Sequence, residues 1–559
     1  MKRIFSALED TPYDVAIIGG GATGAAIALD CALRGLKTAL VEKSDFSAAT
    51  SAASSKLMHG GLRYLANGEI GLVREGLRER GIWQRIAKHL VRPLPFVLPT
   101  YQPFMQSRNA MRLGLTAYDW LAVGRNFGAD SMQRMPGHRA INTAQTMGLM
   151  PGLDRDGING PMTGGMIYHD AQMLSPERLC LAMIRSAVNA GAVAVNYASA
   201  QDFTITDNKI DAVTVKDMTN GKKARLRASV FVNAAGPWAD GLMQQATDAP
   251  PPKKLVRSKG IHFITRDITR GTALAMPVDG EHLFVLPWQG MSLFATTDTA
   301  YPGDPDKVAV GDDDIAALLG KAQKALPRLG LTRKDIVYAY AGLRPLVADP
   351  ADNKPDGAET ATYGLSRGAE ILDHKAHGGP DGLISALGGK WTTARRLAEQ
   401  VTDAVFRQLQ RPTPTCRTGA TLLACCPPRS LADFMDDMRE SFPHVGHGDI
   451  DPLSRLYGTL LPDMMAMDIS GLDALRDPLL AARTAFAVRH EMAIRLDDIV
   501  CRRLHEGQTG ALSARKINAI ADYMADRHGW SEAEKAKQVK QTQKALALPP
   551  ARRKAKMQS

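Results

Sequence analysis

The run Tyr13-Asp-Val-Ala-Ile-Ile-Gly-Gly-Gly-Ala-Thr-Gly24, closed by Glu42, constrains the fold of this chain more than anything else in it. Asp14 to Ile18 is a short apolar, β-rich run that predicts a strand. Gly19, Gly21 and Gly24 follow in the order G-x-G-x-x-G. In that order the first glycine permits a tight turn and the second lets backbone approach a pyrophosphate. The third lets the helix pack closely on the strand. Ala22 and Thr23 fall at the start of the helix, where free N–H groups and the dipole favour phosphate. Ala25 to Leu33 continues it, Gly35 ends it, and Lys37 to Val41 forms the next strand. Glu42 stands eighteen residues past Gly24, where an acid accepts the ribose hydroxyls of an adenine dinucleotide. Strand, glycine turn, helix, strand and acid together predict dinucleotide binding. The blander alternative is a glycine-rich turn in another kind of α/β protein.

The 559 residues suffice for two or more domains. No apolar run approaches the roughly 18 residues of a membrane span. The N-terminus reaches Glu9 and Asp10 without a signal-peptide core, so a cytoplasmic protein is expected. Cys31, Cys180, Cys416, Cys425, Cys426 and Cys501 contain no C-x-x-C pair and no metal-site pattern with histidine, so plain thiols and no metal are expected. The formal charge is +11, but the stretch from Lys535 onward holds eight Lys or Arg and no acid, leaving +3 elsewhere. Such a tail suits an anionic membrane surface, at on the order of 1 kcal/mol per cation. A solvated, frayed terminus is the simpler account. Nucleic-acid binding lacks any accompanying motif and is not expected.

Gly68 to Val91 reads as a helix with Val73, Leu77, Trp83, Ile86 and Leu90 near one face, ended by Pro93, Pro95 and Pro99. Asp202 to Val230 alternates like a β-meander with turns at Asp207-Asn208 and Asn220-Gly221. Ser229 to Asn233 is a buried strand that leads into Ala234-Ala-Gly-Pro-Trp238, and Lys259 to Thr297 is again strand-like. Leu383 to Leu387 is a late strand that meets Gly388-Gly389 and a helix beginning near Thr392 or Thr393. Pro412, Pro414, Pro427 and Pro428 mark a linker, and Leu453 to Lys544 reads as several helices. Strand–glycine elements thus recur near residues 19, 236 and 388. A single-piece NAD domain would be finished within about 150 residues. The scatter therefore favours a flavoprotein over an NAD-dependent reductase.

The chain resembles the FAD-dependent, quinone-linked sn-glycerol-3-phosphate dehydrogenases of the D-amino-acid-oxidase-like superfamily. The resemblance rests on Ala49-Thr-Ser-Ala-Ala-Ser-Ser-Lys-Leu-Met-His-Gly-Gly-Leu-Arg-Tyr-Leu65, Val232-Asn-Ala-Ala-Gly-Pro-Trp238, Lys259-Gly-Ile-His262 and Leu286-Pro-Trp288. It continues through Thr296-Thr-Asp298, Ala341-Gly-Leu-Arg-Pro-Leu346, Leu387-Gly-Gly-Lys-Trp-Thr-Thr393 and, in the helical part, Ala487 to Met492 and Asp497 to Arg503. It runs from about residue 10 to about 530. It implies an α/β fold, with a Rossmann-like FAD-binding domain, an inserted β-rich substrate domain and an all-α C-terminal domain. The oxidoreductase core would span 1–410, with FAD-binding segments near 10–95, 160–255 and 335–410 and substrate-binding segments near 96–160 and 256–335. A linker (411–450), a helical domain (451–545) and a basic tail (546–559) would follow.

The implied chemistry is oxidation of a phosphorylated polyol at a secondary alcohol, with electrons passing to membrane quinone. The same blocks suit another polyol phosphate, such as erythritol phosphate, or an oxygen-using oxidase. Peripheral membrane association and a possible homodimer belong to the same expectation. His262 is implied as general base and Arg344 as the arginine at the reactive centre. Arg63, Tyr64, Arg344 and Lys390 are implied to bind substrate. Besides the first glycine block with Glu42, the implied FAD contacts are Lys43, Thr50, Ser51, Ser54, Ser55, Lys56, His59, Gly60, Ala235, Gly236, Gly389, Lys390, Trp391 and Thr392. From the residues alone, His262 reads as a structural histidine and Arg63 as a surface cation, while His59 reads equally as a structural histidine and Tyr64 equally as core packing.

Overall fold

A computed structural model describes residues 1–66, 68–247, 254–348 and 368–551. The first glycine block folds as its pattern predicts. Strand β1 (Tyr13–Ile18) enters a glycine turn, helix α1 (Ala22–Leu33) returns along it, and strand β2 (Thr38–Val41) pairs with β1 in parallel, Val15 opposite Thr38. On the other edge β1 pairs in parallel with Lys223–Asn233, which in turn pairs with Leu383–Gly388. Among the described residues this first sheet has eight strands, and its parallel centre is assembled from three distant stretches of chain. Gly24 is what seats α1. A Cβ there would lie 1.8 Å from the Gly19 carbonyl oxygen.

A second sheet, of eleven strands among the described residues, stands beside the first. Its longest pairing joins β3 (Lys254–Arg266) to β4 (Ile336–Ala348), antiparallel from Lys254 opposite Ala348 to Thr265 opposite Ile336. Gly160–Met173 and β4, which fall within the expected FAD-binding segments, both pair within the second sheet. Pro93, Pro95 and Pro99 follow the helix Ile70–Ile86 but stand inside the strand Val91–Tyr101. All three share one parity, so their missing N–H groups fall along one edge of that strand.

Downstream, the expected linker 411–450 already contains the helix Leu431–Ser441 and the start of His447–Tyr457. The helical domain closes against the first sheet through buried charge. Asp45, three residues past Glu42, accepts from Arg502 Nε (2.7 Å), Arg503 Nη1 (2.8 Å) and Arg503 Nη2 (2.9 Å). Burial pushes the Asp45 carboxyl up, but Arg503 and Arg502 outweigh it, and it stays below the usual carboxylate range. Of the basic stretch, Lys535 and Lys537 sit on the helix Glu532–Leu546 and pair with Glu532 and Glu534; residues 552–559 lie outside the described set.

Candidate active site

A cleft of about 390 Å³ opens at the carboxyl end of the first sheet. Its walls include Gly19, Gly21, Ala22, Thr23, Glu42, Lys43, Thr50, Ser51, Ala235, Gly236, Gly389, Lys390 and Trp391. Thirteen sequence-predicted cofactor residues from four regions of the chain therefore share one cavity. Gly19 sits at φ +115, with Ala234 carbonyl oxygen 2.5 Å from where a Cβ would be. Glu42 takes hydrogen bonds from Gly20 N (2.7 Å), Ser44 N (2.8 Å) and Ser44 Oγ (2.9 Å), which fixes its carboxylate at the cleft wall. Ser51 Oγ accepts from Ala22 N (2.9 Å), and Trp391 Nε1 donates to the Ser51 carbonyl (2.9 Å). The helix Ala394–Gln408 begins beside Gly389 with no side-chain cap. The Thr393 side chain makes no bond to the helix it caps, and the Thr392 hydroxyl donates to the His59 carbonyl (3.3 Å).

These features fit a flavin dinucleotide. The glycine turn has no Cβ to fill the space beside α1, the acid is held against that turn by Gly20 N, and Gly389, just before an uncapped helix start, lines the same cleft. Lys43 reaches across the mouth. Its Nζ lies 2.6 Å from Asp306 Oδ1 and 4.1 Å from the centre of the Trp238 ring, and Trp238 Nε1 donates to the same oxygen (3.0 Å).

The side chains expected to carry the chemistry, His262 and Arg344, stand on the second sheet. Across β3 and β4 three same-face pairs follow one another: His262 opposite Tyr340, Gly260 opposite Gly342, and Ser258 opposite Arg344. The glycines are spacers. A Cβ on Gly260 would lie 2.3 Å from Arg344 Nη2, and one on Gly342 would lie 2.5 Å from the Ala53 carbonyl oxygen. The guanidinium thus lies across β3, while the loop carrying residues 50–55 crosses β4. That loop is stitched down by Thr50 Oγ1 to the Leu343 carbonyl (2.7 Å) and by Tyr340 OH to the Ser54 carbonyl (2.7 Å).

His262 is stacked on Tyr340, ring centres 4.7 Å apart and planes 10° from parallel. Its Nε2 lies 3.0 Å from Ser55 Oγ, and its buried Nδ1 has no hydrogen-bond partner among the described residues. Burial, with the Arg344 and Lys56 cations, holds the imidazole well below its ordinary value, so it is neutral and able to accept a proton. Neither His262 nor Arg344 lines the cofactor cleft itself, although Pro345 does.

The other predicted residues divide. Lys390 Nζ sits 4.1 Å from the centre of the Tyr64 ring, and His59 lies 6.3 Å from that ring. Gly60 N donates to Asp170, which also takes Arg80 Nη1 (2.7 Å) and Tyr118 OH (3.1 Å). Arg63 is on the helix Leu62–Ala66, and its side chain lies outside the described set. Lys56 turns away from the cleft. It is buried, donates to the Ala52 carbonyl (2.5 Å) and pairs with Glu177 (3.5 Å). Ser54, Ser55, His59, Gly60 and Thr392 likewise do not line this cleft. Tyr340, Ser258 and Asp170 were missed. A period-2 reading outward from Arg344 reaches Tyr340, and one back from His262 reaches Ser258. Asp170 carries no local signal.

Residues 14–396 match the family described as FAD dependent oxidoreductase, and residues 384–535 match the C-terminal domain of alpha-glycerophosphate oxidase. The chain belongs to the FAD-dependent oxidoreductases. Within that family it is 33% identical to a glycerol-3-phosphate dehydrogenase from Synechocystis, over 96% of this chain and 97% of the relative. It is 34% identical to glycerol-3-phosphate dehydrogenase 2 from Mycobacterium tuberculosis, over 93% and 86%. The solved glycerol-3-phosphate dehydrogenase from Bacillus halodurans, complexed with FAD, superposes with a TM-score of 0.76 at 27% identity, covering 97% of this chain and 96% of that one. FAD is the cofactor of this FAD-dependent oxidoreductase, and the cleft described above is the cavity that suits it.

Proposed function

We propose that this protein oxidises sn-glycerol 3-phosphate at C2 to dihydroxyacetone phosphate and delivers the electrons to a membrane quinone. The observation that carries the reading is the placing of His262 and Arg344 on one face of paired strands, two same-face rungs apart, in a chain that matches glycerol-3-phosphate dehydrogenases end to end. Bound FAD supplies the hydride acceptor. His262 takes the C2 hydroxyl proton on Nδ1, while Ser55 holds Nε2. Arg344 steadies the oxygen as it loses that proton, and burial, helped by the Arg344 and Lys56 cations, keeps the resting imidazole unprotonated. Lys390, poised over Tyr64, and Arg63 hold the phosphate.

A membrane acceptor is supported by α2 (Arg108–Leu121) and the turn after it. Leu113, Trp120, Val123 and Phe127 are 74%, 77%, 79% and 88% exposed, beside the exposed cation Arg112. An amphipathic surface of this kind suits the bilayer interface. Among the described residues no helix is long and apolar enough to cross a membrane.

Anaerobic addition of sn-glycerol 3-phosphate to the purified FAD-loaded protein is expected to bleach the oxidised-flavin bands. Bands that persist with this substrate but bleach with a longer polyol phosphate would move the substrate assignment. Peroxide formed as fast as an artificial acceptor is reduced would replace quinone with oxygen.

A further inference from the structure

Arg344 is held by more than its own strand. Its Nη2 donates to Thr296 Oγ1 (2.7 Å) and to the Thr297 carbonyl (3.0 Å). Its Nη1 donates to Ser258 Oγ (3.0 Å), and that hydroxyl donates in turn to Asp298 Oδ1 (2.5 Å). Ser258 is wholly buried, and the Asp298 side chain is 5% exposed, 4.0 Å from Arg344 Nη1. A hydroxyl has one proton to give. While Asp298 takes it, the lone pairs of Ser258 are turned toward the arginine. If the carboxylate were lost, the hydroxyl could rotate and offer its proton to a cation that cannot accept one.

We infer that Asp298 is a positioning residue for the reaction: through Ser258 it fixes the Arg344 guanidinium over Gly260, two same-face rungs from His262. The inference rests on the proposed roles of Arg344 and His262. The groups facing His262 are Arg344 and Tyr340 from β4, and Ser55 and Lys56 from the loop. Lys56 is tied separately to Glu177 and Ala52, so loosening Asp298 acts on the imidazole through Arg344. A guanidinium that wanders depresses the imidazole less, and the proton-accepting form is then lost at a higher pH.

The test is the pH profile of kcat/KM for sn-glycerol 3-phosphate with a soluble artificial acceptor, in FAD-loaded wild type, Asp298→Asn, Ser258→Ala and the double variant. Each single change is expected to lower kcat/KM on the order of tenfold to a hundredfold, the range expected of a misplaced group. The double variant is expected to be no worse than the worse single one, because the two residues act in one chain. The acid limb is expected to move to higher pH in all three. Flavin content and thermal midpoint establish that each variant is folded, and Ser258→Ala carries the test if Asp298→Asn is not. Additive losses with an unmoved limb would overturn the inference and leave Asp298 a support of the sheet. His262→Asn separates the two readings. If the acid limb survives in it, the base assignment fails, and the non-additivity still decides the role of Asp298.

Discussion

Two buried clusters of charge stand about the cofactor cleft, and they are built on opposite plans. At the seam with the helical domain, Asp45 takes three hydrogen bonds from two arginines, and Glu491 pairs with Arg178 at 3.0 Å. Charge there is matched by charge, and it locks one domain to another. On the β3–β4 face, His262 is crowded by two cations, stacks on a neutral ring and leaves Nδ1 without a partner among the described residues. Such an arrangement adds little to stability, since a buried polar atom without a partner costs about 1–3 kcal/mol. The contrast separates charge that holds the fold from charge that the proposed reaction would use.

The sharpest way to break that contrast is His262→Asn. It is expected to lower kcat roughly 10²–10⁴-fold, the usual worth of a general base, while flavin content and thermal midpoint stay near wild type. A large fall in the midpoint would place His262 with the structural cluster. Because its proton is held less tightly than in a free imidazole, wild-type kcat/KM is expected to fall only well below pH 6.5 as acid protonates the base. An acid limb at or above the ordinary imidazole value of 6.5 would contradict this.

Asp45→Ala is the mirror experiment. Removing one partner from a buried ion pair costs about 3–5 kcal/mol, which should appear as a lowered unfolding midpoint, with kcat of the surviving folded fraction preserved. Gly260→Ala comes next. Its methyl would displace the Arg344 guanidinium and is expected to cut kcat/KM by about tenfold or more while flavin binding persists. The smallest effect is at the cleft mouth. Lys43 and Asp306 are 39% and 60% exposed, and such pairs contribute about 0–1 kcal/mol. Asp306→Ala should speed flavin release on dilution less than about fivefold, and the difference should vanish in high salt.

The first sheet was legible because its signals are local. Gly19, Gly24 and Glu42 each have a stereochemical duty that sequence spacing displays. The second sheet was less so. Alternation marks Lys259 to Thr297 as strands, but nothing in a strand's own residues says which sheet receives it, so the place of Gly160–Met173 and β4 in the second sheet was not legible. Prolines misled twice. Those at 93, 95 and 99 ride in a strand, and those at 427 and 428 come just before the helix Leu431–Ser441, which lies inside the supposed linker. Of the site, local motifs mark residues that line the cleft, while the buried partners of residues off its wall carry no local signal. Asp170 and Glu177 meet Gly60 and Lys56 only after folding has brought together residues more than a hundred positions apart.

The two glycines between His262 and Arg344 also make their separation a property of one strand pair. The two side chains ride on adjacent strands, with β4 paired along nearly the whole of β3. Their spacing is therefore set by two rungs of backbone pairing, and how that pair of strands stands to the cleft has no part in it. A ligand that must meet both side chains at once would find the interval between them already ruled into the sheet.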